Sequence, residues 1–269
     1  MSSTESLAFR IQDGIVRFLR GRLAHSVRVK SFLYRILWLM PERFRRTDAV
    51  REALKRAGAC PGKVRFVNIG ANDGLAGDPL REFIVTRGWE GILVEPVPFV
   101  FDRLARAYRG RRGVFCENAA IAEENGTLPF WYVRKNDVLP PGYDQVGSFD
   151  KAQVLKHETG LFPGLGAFLE SLPVRTLTVD GLLAKHGFDG VDVFLIDTEG
   201  YDARIVNRID LARLAPRLIV YENAHVPPAE NRACEERLRA AGYRVTSEGG
   251  NTLAEKGAAE PAPAAGAGR

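Results

Sequence analysis

Apolar positions along this chain gather in short dense runs, and each run empties into glycine, acid or amide. The first holds Val64, Phe66, Val67 and Ile69 and passes straight into Gly70-Ala71-Asn72-Asp73-Gly74. Such a run predicts a buried parallel strand. The two glycines predict a sharp turn whose main-chain N–H groups a ligand can approach. Ile92-Leu93-Val94 predicts a second strand ending in Glu95-Pro96, and Val114 to Glu117 a third that delivers Asn118-Ala119-Ala120. Val191 to Ile196 predicts a fourth, ending in Asp197-Thr198-Glu199-Gly200-Tyr201-Asp202. Leu218 to Tyr221 predicts a fifth, ending in Glu222-Asn223-Ala224-His225. Helical stretches are expected from Asp78 or Pro79 to Arg87, with Asp78 as N-cap, and over Phe99–Arg109, Val179–His186, Arg204–Leu214 and Ala229–Ala241. A hairpin over Tyr243–Ser247 and Thr252–Glu255, turning at Gly249-Gly250-Asn251, completes the pattern. Strands alternating with helices predict an α/β fold with a doubly wound, mostly parallel sheet, whose ligand crevice lies at the carboxyl ends of the strands.

Those ends carry the chemistry. Glu95 follows Gly70 by 25 residues, near the spacing of about 20 at which a strand-tip carboxylate accepts both ribose hydroxyls of a nucleoside. Asn118 reads equally as a group meeting an adenine edge or as an ordinary turn residue. Asp197, Glu199 and Asp202 cluster at one strand mouth, beside Glu222 and Asn223 at the next. A nicotinamide dehydrogenase would share the fold and the ribose acid, but its loop needs G-x-G-x-x-G, whereas Asn72 and Leu75 stand at the second and third glycine positions.

Taken in order, V-N-I-G-A-N-D-G, L-V-E-P, E-N-A-A-I, R-T-L-T-V-D-G-L-L, F-L-I-D-T-E-G-Y-D and L-I-V-Y-E-N resemble the FkbM family of S-adenosylmethionine-dependent methyltransferases, from about Val64 to Glu222. The resemblance implies a Rossmann-like class I methyltransferase fold, with a seven-stranded sheet whose last strand is antiparallel. It implies S-adenosyl-L-methionine as cofactor and methyl transfer to oxygen on a sugar, a glycan or another small polyhydroxylated acceptor. On that reading the cofactor lies against Asn68, Gly70, Asn72, Gly74, Glu95, Asn118, Ala119 and Asp197, while Ser148, Glu199 and Glu222 face the acceptor. Familiar members carry a lysine where this chain has Leu195 and often a glutamate where it has Asp202, so a role resting on that lysine does not transfer.

The transferred methyl leaves a sulfonium, so the protein has to align the acceptor oxygen and take its proton. Asp197, His225 and His157 are the candidate catalytic groups, since imidazole titrates near neutral pH. Each histidine also reads as a merely structural one, and His25 and His186 fall on predicted helices away from the crevice. Asp197, Glu222 and Asn223 are similar to the metal triad of catechol O-methyltransferases and form an oxygen set that Mg²⁺ would accept. The same acids could instead bind the methionine ammonium or the acceptor hydroxyls. The segment from Val133 to Val174 is too long for an ordinary connection and reads as a lid. A non-catalytic cofactor-binding protein and an N-methyltransferase remain the competing classes.

Composition sets the rest. The chain has 269 residues, 45% of them apolar, enough for one catalytic domain over residues 47–256. Cys60, Cys116 and Cys234 are odd in number and scattered, so neither a disulfide framework nor a zinc site is indicated. No run approaches transmembrane length and none resembles a signal peptide, so the expected location is cytoplasmic. Charge is uneven: residues 1–46 hold ten Arg or Lys against three acids, a balance of +7 within a chain of +5, leaving −2 for the remainder. Leu7, Ile11, Ile15, Leu19 and Leu23 form an apolar stripe in that extension. The expected partners of the stripe are the protein's own core, a second subunit or an anionic membrane surface. Nucleic acid is not expected, since no binding module accompanies the charge. Residues 257–269 read as a disordered tail.

Overall fold

The computed structural model describes residues 49–59, 62–75 and 78–257. The basic extension and the tail after Gly257 lie outside the described residues, and so do His25 and Cys60. Among the described residues ten strands and eight α-helices follow one another: α1 (Ala49–Ala57), β1 (Arg65–Ile69), α2 (Arg81–Arg87), β2 (Glu90–Val94), α3 (Pro98–Ala107), β3 (Val114–Glu117), β4 (Ala120–Ile121), β5 (Gly126–Val133), α4 (Lys151–Lys156), β6 (Leu169–Leu177), α5 (Val179–His186), β7 (Val193–Ile196), α6 (Asp202–Asn207), α7 (Leu211–Leu214), β8 (Leu218–Glu222), α8 (Pro228–Ala240), β9 (Tyr243–Glu248) and β10 (Asn251–Lys256).

Seven strands form the main sheet in the order β3-β2-β1-β7-β8-β10-β9. β1, β2, β3, β7 and β8 run parallel, with Val67 opposite both Ile92 and Phe194, and Phe194 opposite Ile219. β10, the last in the chain, is antiparallel to both β8 and β9. Strand side chains alternate between two cores, because successive residues point to opposite faces. Val67, Ile69, Ile92, Phe194, Ile196 and Ile219 join α5 to α8 on one face. Phe66, Leu93, Val193, Val220 and Leu253 join α1 to α3 on the other. The sheet is therefore covered on both sides, as a doubly wound fold requires.

Two expected helices differ in detail. α2 starts at Arg81, with Leu80 at its cap. Asp78 instead accepts from the Leu80 N–H at 2.9 Å and closes a turn ahead of the helix. The stretch expected as one helix from Arg204 to Leu214 divides into α6 and α7, because Asp210 accepts from the amides of Ala212 and Arg213 and starts a new helix. Arg237 of α8 donates to the carbonyls of Val206 and Ile209 at 3.2 and 2.7 Å. Carbonyls released at the break are satisfied in this way.

A second sheet, β4-β6-β5, is absent from the sequence expectation. β5 and β6 pair antiparallel along their whole length, with Pro129 opposite Pro173. Pro129 lies on the sheet edge, and Pro173 lies beyond the end of the two-residue β4, so neither position needs the missing N–H. The insert is consequently shorter than Val133 to Val174, both of which are strand residues. It spans residues 134–168, returns to β5 through the Trp131–Ser148 bridge, and builds its own core from Leu139, Val146, Val154, Phe162 and Leu165. Among the described residues no helix is long and apolar enough to cross a membrane.

Candidate functional site

Three strand tips meet at Gly70. Its N–H and that of Ala71 both donate to the Val94 carbonyl, at 3.0 and 2.9 Å, while the Asp197 N–H donates to Ile69 at 2.9 Å. Gly70 holds φ +82°, and a Cβ there would lie 1.7 Å from the Asp197 carbonyl oxygen. No other residue fits that position. The backbone then reaches Asn72, at φ 48°, whose side chain closes on its own turn by accepting from Asp73 N–H at 2.7 Å. Asn tolerates this left-handed geometry better than most residues.

A cavity of about 270 Å³ opens at these tips, lined by Asn68, Gly70, Asn72, Asp78, Glu95, Ala119, Phe130, Asp144, Phe149, Asp197 and Glu199 among others. Glu95 is buried and accepts from the amides of Val97 and Asn72 at 2.8 and 3.1 Å. Burial still outweighs these bonds and pushes its carboxyl up to about 8. Gly74 and Asn118, both expected at the cofactor, do not line the cavity. Gly74 packs behind the loop, its carbonyl accepting from the Tyr108 hydroxyl at 3.2 Å. The Asn118 amide donates to the carbonyls of Glu95 and Pro96 at 2.9 and 3.0 Å, which braces the loop carrying Glu95. Phe130 and Phe149, in edge contact with centroids 5.3 Å apart, and Asp144, paired with Arg103, form walls of which the sequence signals neither Phe130 nor Asp144. They come from β5 and from the insert, far along the chain.

The acids at the ends of β7 and β8 form the second half of the site. Asp197, Glu199 and Glu222 bring carboxylate oxygens within 4.8 Å of one another. Desolvation and mutual repulsion push Asp197 and Glu222 upward together, so at neutral pH they favour holding protons. Asp202 accepts from the amides of Thr198 and Gly200 at 3.0 and 3.1 Å and shapes the loop between them. Glu199, at φ 53°, presents its carboxylate to two imidazoles. His157 Nε2 is 3.1 Å away, His225 Nε2 is 3.3 Å away, and the latter is also 3.8 Å from Glu222. Burial lowers the pKa of His225, which favours the neutral ring.

The remaining expected residues face elsewhere. Ser148 is buried, and its hydroxyl donates to the Glu199 carbonyl at 3.0 Å, so it positions Glu199 rather than facing the cavity. Asn223 turns toward β10: its backbone N–H donates to Gly250 and its side-chain amide to Thr252 Oγ1, each at 2.8 Å. The carboxylate that joins Asp197 and Glu222 is thus Glu199, not the Asn223 amide expected as a metal ligand. His186 lies off the site, on Glu117 at 2.9 Å.

Three buried carboxyls have folded-state values well above their usual range: Glu95 at about 8, Asp202 at about 7 and Asp78 at about 6, each raised chiefly by burial. Between about pH 4 and those values the unfolded chain has released protons that the folded chain keeps, so stability falls as pH rises through the window. Urea midpoints measured without cofactor are expected to drop from about pH 5 to about pH 8, and Glu95→Gln to flatten the drop. A midpoint rising with pH over that range would contradict the burial of these groups.

A parallel sheet carrying an antiparallel final strand between β8 and β9, with a glycine turn after β1 and an acid after β2, is the arrangement of class I methyltransferases. The family model for the FkbM methyltransferase domain matches residues 68–245, and the chain belongs to that family. It is an S-adenosylmethionine-dependent methyltransferase. Similar solved structures include an FkbM methyltransferase from Methylobacillus flagellatus KT, at 12% identity and TM-score 0.44, covering 74% of this chain and 46% of that one. This chain therefore matches less than half of that protein's length. Precorrin-6y C5,15-methyltransferase from Geobacter metallireducens GS-15 is similar at 12% identity and TM-score 0.39, covering 77% and 87%. Aeropyrum pernix fibrillarin, solved with natively bound S-adenosyl-L-methionine, is similar at 13% identity and TM-score 0.37, covering 76% and 72%. No curated protein sequence matches the chain.

Proposed function

We propose that this methyltransferase acts on a hydroxyl of a sugar, a glycan or another small polyhydroxylated molecule. One observation carries the reading: two histidines and three carboxylates converge beside the cavity, which Asp197 and Glu199 line, and this supplies a proton acceptor close to where an attacking oxygen needs one. The cofactor wall fits a nucleoside. Glu95 offers a buried carboxylate to the ribose hydroxyls, and Gly70 and Ala119 leave room for the ring. Bound S-adenosyl-L-methionine supplies an electrophilic methyl group on a sulfonium. The chain's own residues do the rest: Phe130 and Phe149 offer aromatic faces to the apolar side of a sugar ring, and the acids accept its hydroxyl hydrogens. The acceptor proton passes to the histidine pair His157 and His225, with Asp197 lining the cavity beside them.

Mg²⁺ on Asp197, Glu222 and Asn223 is replaced in this reading by an oxygen set in which Glu199 takes the place of Asn223. Incubation with labelled cofactor and a panel of monosaccharides, nucleotide sugars and amines is expected to give oxygen-methylated product, identified by mass and NMR. Methylation confined to amines would overturn the reading. Alanine at His157, His225 or Asp197 is expected to lower turnover by about 10²-fold or more, with cofactor affinity nearly unchanged at the two histidine positions.

A further inference from the structure

We propose that His157, His225 and Glu199 bind a divalent first-row transition-metal ion beside the cavity, which Glu199 lines. The three come from separate places: His157 from the 3₁₀ turn after α4, Glu199 from the loop after β7, and His225 from the turn after β8. Both imidazoles aim Nε2 at the same carboxylate oxygen, at 3.1 and 3.3 Å. Two ligand atoms held at about 2.1 Å from one ion lie roughly 3.0 to 3.4 Å apart at octahedral or tetrahedral angles, so these spacings already suit shared coordination. The rings cross at 66° with centroids 5.2 Å apart and approach Glu199 from different directions.

Charge points the same way. Asp197, Glu199 and Glu222 crowd together, yet among the described residues no lysine or arginine pairs with any of them. One buried oxygen of Glu222 has no hydrogen-bond partner. A dication would supply the positive partner that these carboxyls lack among the described residues. The donor set decides the kind of ion: two nitrogens with a carboxylate suit Mn²⁺, Fe²⁺, Co²⁺ or Zn²⁺, while Mg²⁺ prefers oxygen alone. The Ser148 hydroxyl on the Glu199 carbonyl supports the ligand from behind, as outer partners do at metal sites.

The proposed purpose rests on the hydroxyl-methylation reading, although the binding itself does not. Held by His157, His225 and Glu199, the ion would lower the pKa of an acceptor hydroxyl bound beside it. As the hydroxyl proton leaves to solvent, the oxygen would bond to the methyl carbon and the methyl–sulfur bond would break to release S-adenosylhomocysteine.

The test is titration of the full-length protein, stripped with chelator and then freed of it, with Co²⁺ alone, followed by visible absorption and calorimetry. One equivalent is expected to bind, about 100-fold or more tighter than Mg²⁺ in competition. His157→Ala and His225→Ala should each weaken Co²⁺ by about 100-fold, while His186→Ala leaves it unchanged. Circular dichroism checks folding, and His225→Gln or Glu199→Gln substitutes for a variant that fails it. No binding to the folded protein, binding indifferent to both histidines, or Mg²⁺ at least as tight as Co²⁺ would overturn the proposal. Sugar methylation that persists in chelator would remove the ion from the reaction while leaving the acceptor reading intact.

Discussion

Glu95→Ala is expected to weaken S-adenosylmethionine and S-adenosylhomocysteine binding by on the order of 2 to 4 kcal/mol, roughly 30-fold to 1000-fold in affinity. Glu95 is buried at the tip of β2, faces the cavity, and is aimed by the amides of Asn72 and Val97. A ribose diol reaching it gains two hydrogen bonds to this carboxyl, and donation by both hydroxyls draws the group toward its ionised form. Such bonds are stronger than neutral ones and their loss is not made good by solvent. NAD is expected not to bind either form. Calorimetry on the folded variant reads the outcome, and unchanged affinity would remove Glu95 from the cofactor site.

Gly70→Ala should be the most damaging substitution of a single hydrogen by a methyl group in the main sheet. Its Cβ would meet the Asp197 carbonyl oxygen at 1.7 Å, and that oxygen is fixed by the pairing of β1 with β7. Relief requires the two strand tips to separate, which also displaces the Asp197 acid. The expected cost is about 3 kcal/mol or more, or roughly 10 °C in Tm for a chain of this size. Gly88→Ala is the comparison, because Gly88 has φ +66° but nothing within 4 Å of a Cβ. It carries backbone strain alone and should lose only about 1 kcal/mol. Equal losses in the two variants would show that the contact with Asp197 is not the constraint.

The parts of the site legible in the sequence are those a strand ends in. Gly70, Glu95, Asp197 and Glu222 each follow an apolar run directly, so local pattern places them at one edge of the sheet before any contact is known. Phe130 reaches the cavity by the long-range pairing of β5 with β6, strands that Pro129 and Pro173 disguise, while Asp144 and Phe149 are brought there by the fold of the insert. Asn118 and Ser148 were legible as polar groups near the site but not by direction. Each uses its hydrogen bonds on backbone of another segment, Asn118 on Glu95 and Pro96, Ser148 on Glu199. The histidine pair on Glu199 is of the same kind. Both rings were visible in the sequence, but their meeting depends on how the insert folds against the β7 and β8 ends.

The place of β10 in the main sheet also has a consequence for how the chain comes to be folded. β10 lies between β8 and β9, yet it is synthesised after every other strand of that sheet. While earlier segments are already free to condense, since domains assemble from the N-terminal side during translation, β8 has a partner only on its β7 side, and β9 has no strand to join. A Leu-Ile-Val-Tyr edge stands open through that interval, of the kind that recruits strands from other chains. Sheet completion therefore comes in one late step, when residues 251–256 emerge and engage both neighbours at once, and the nascent protein's exposure to misassembly is governed by how quickly those six residues follow β9.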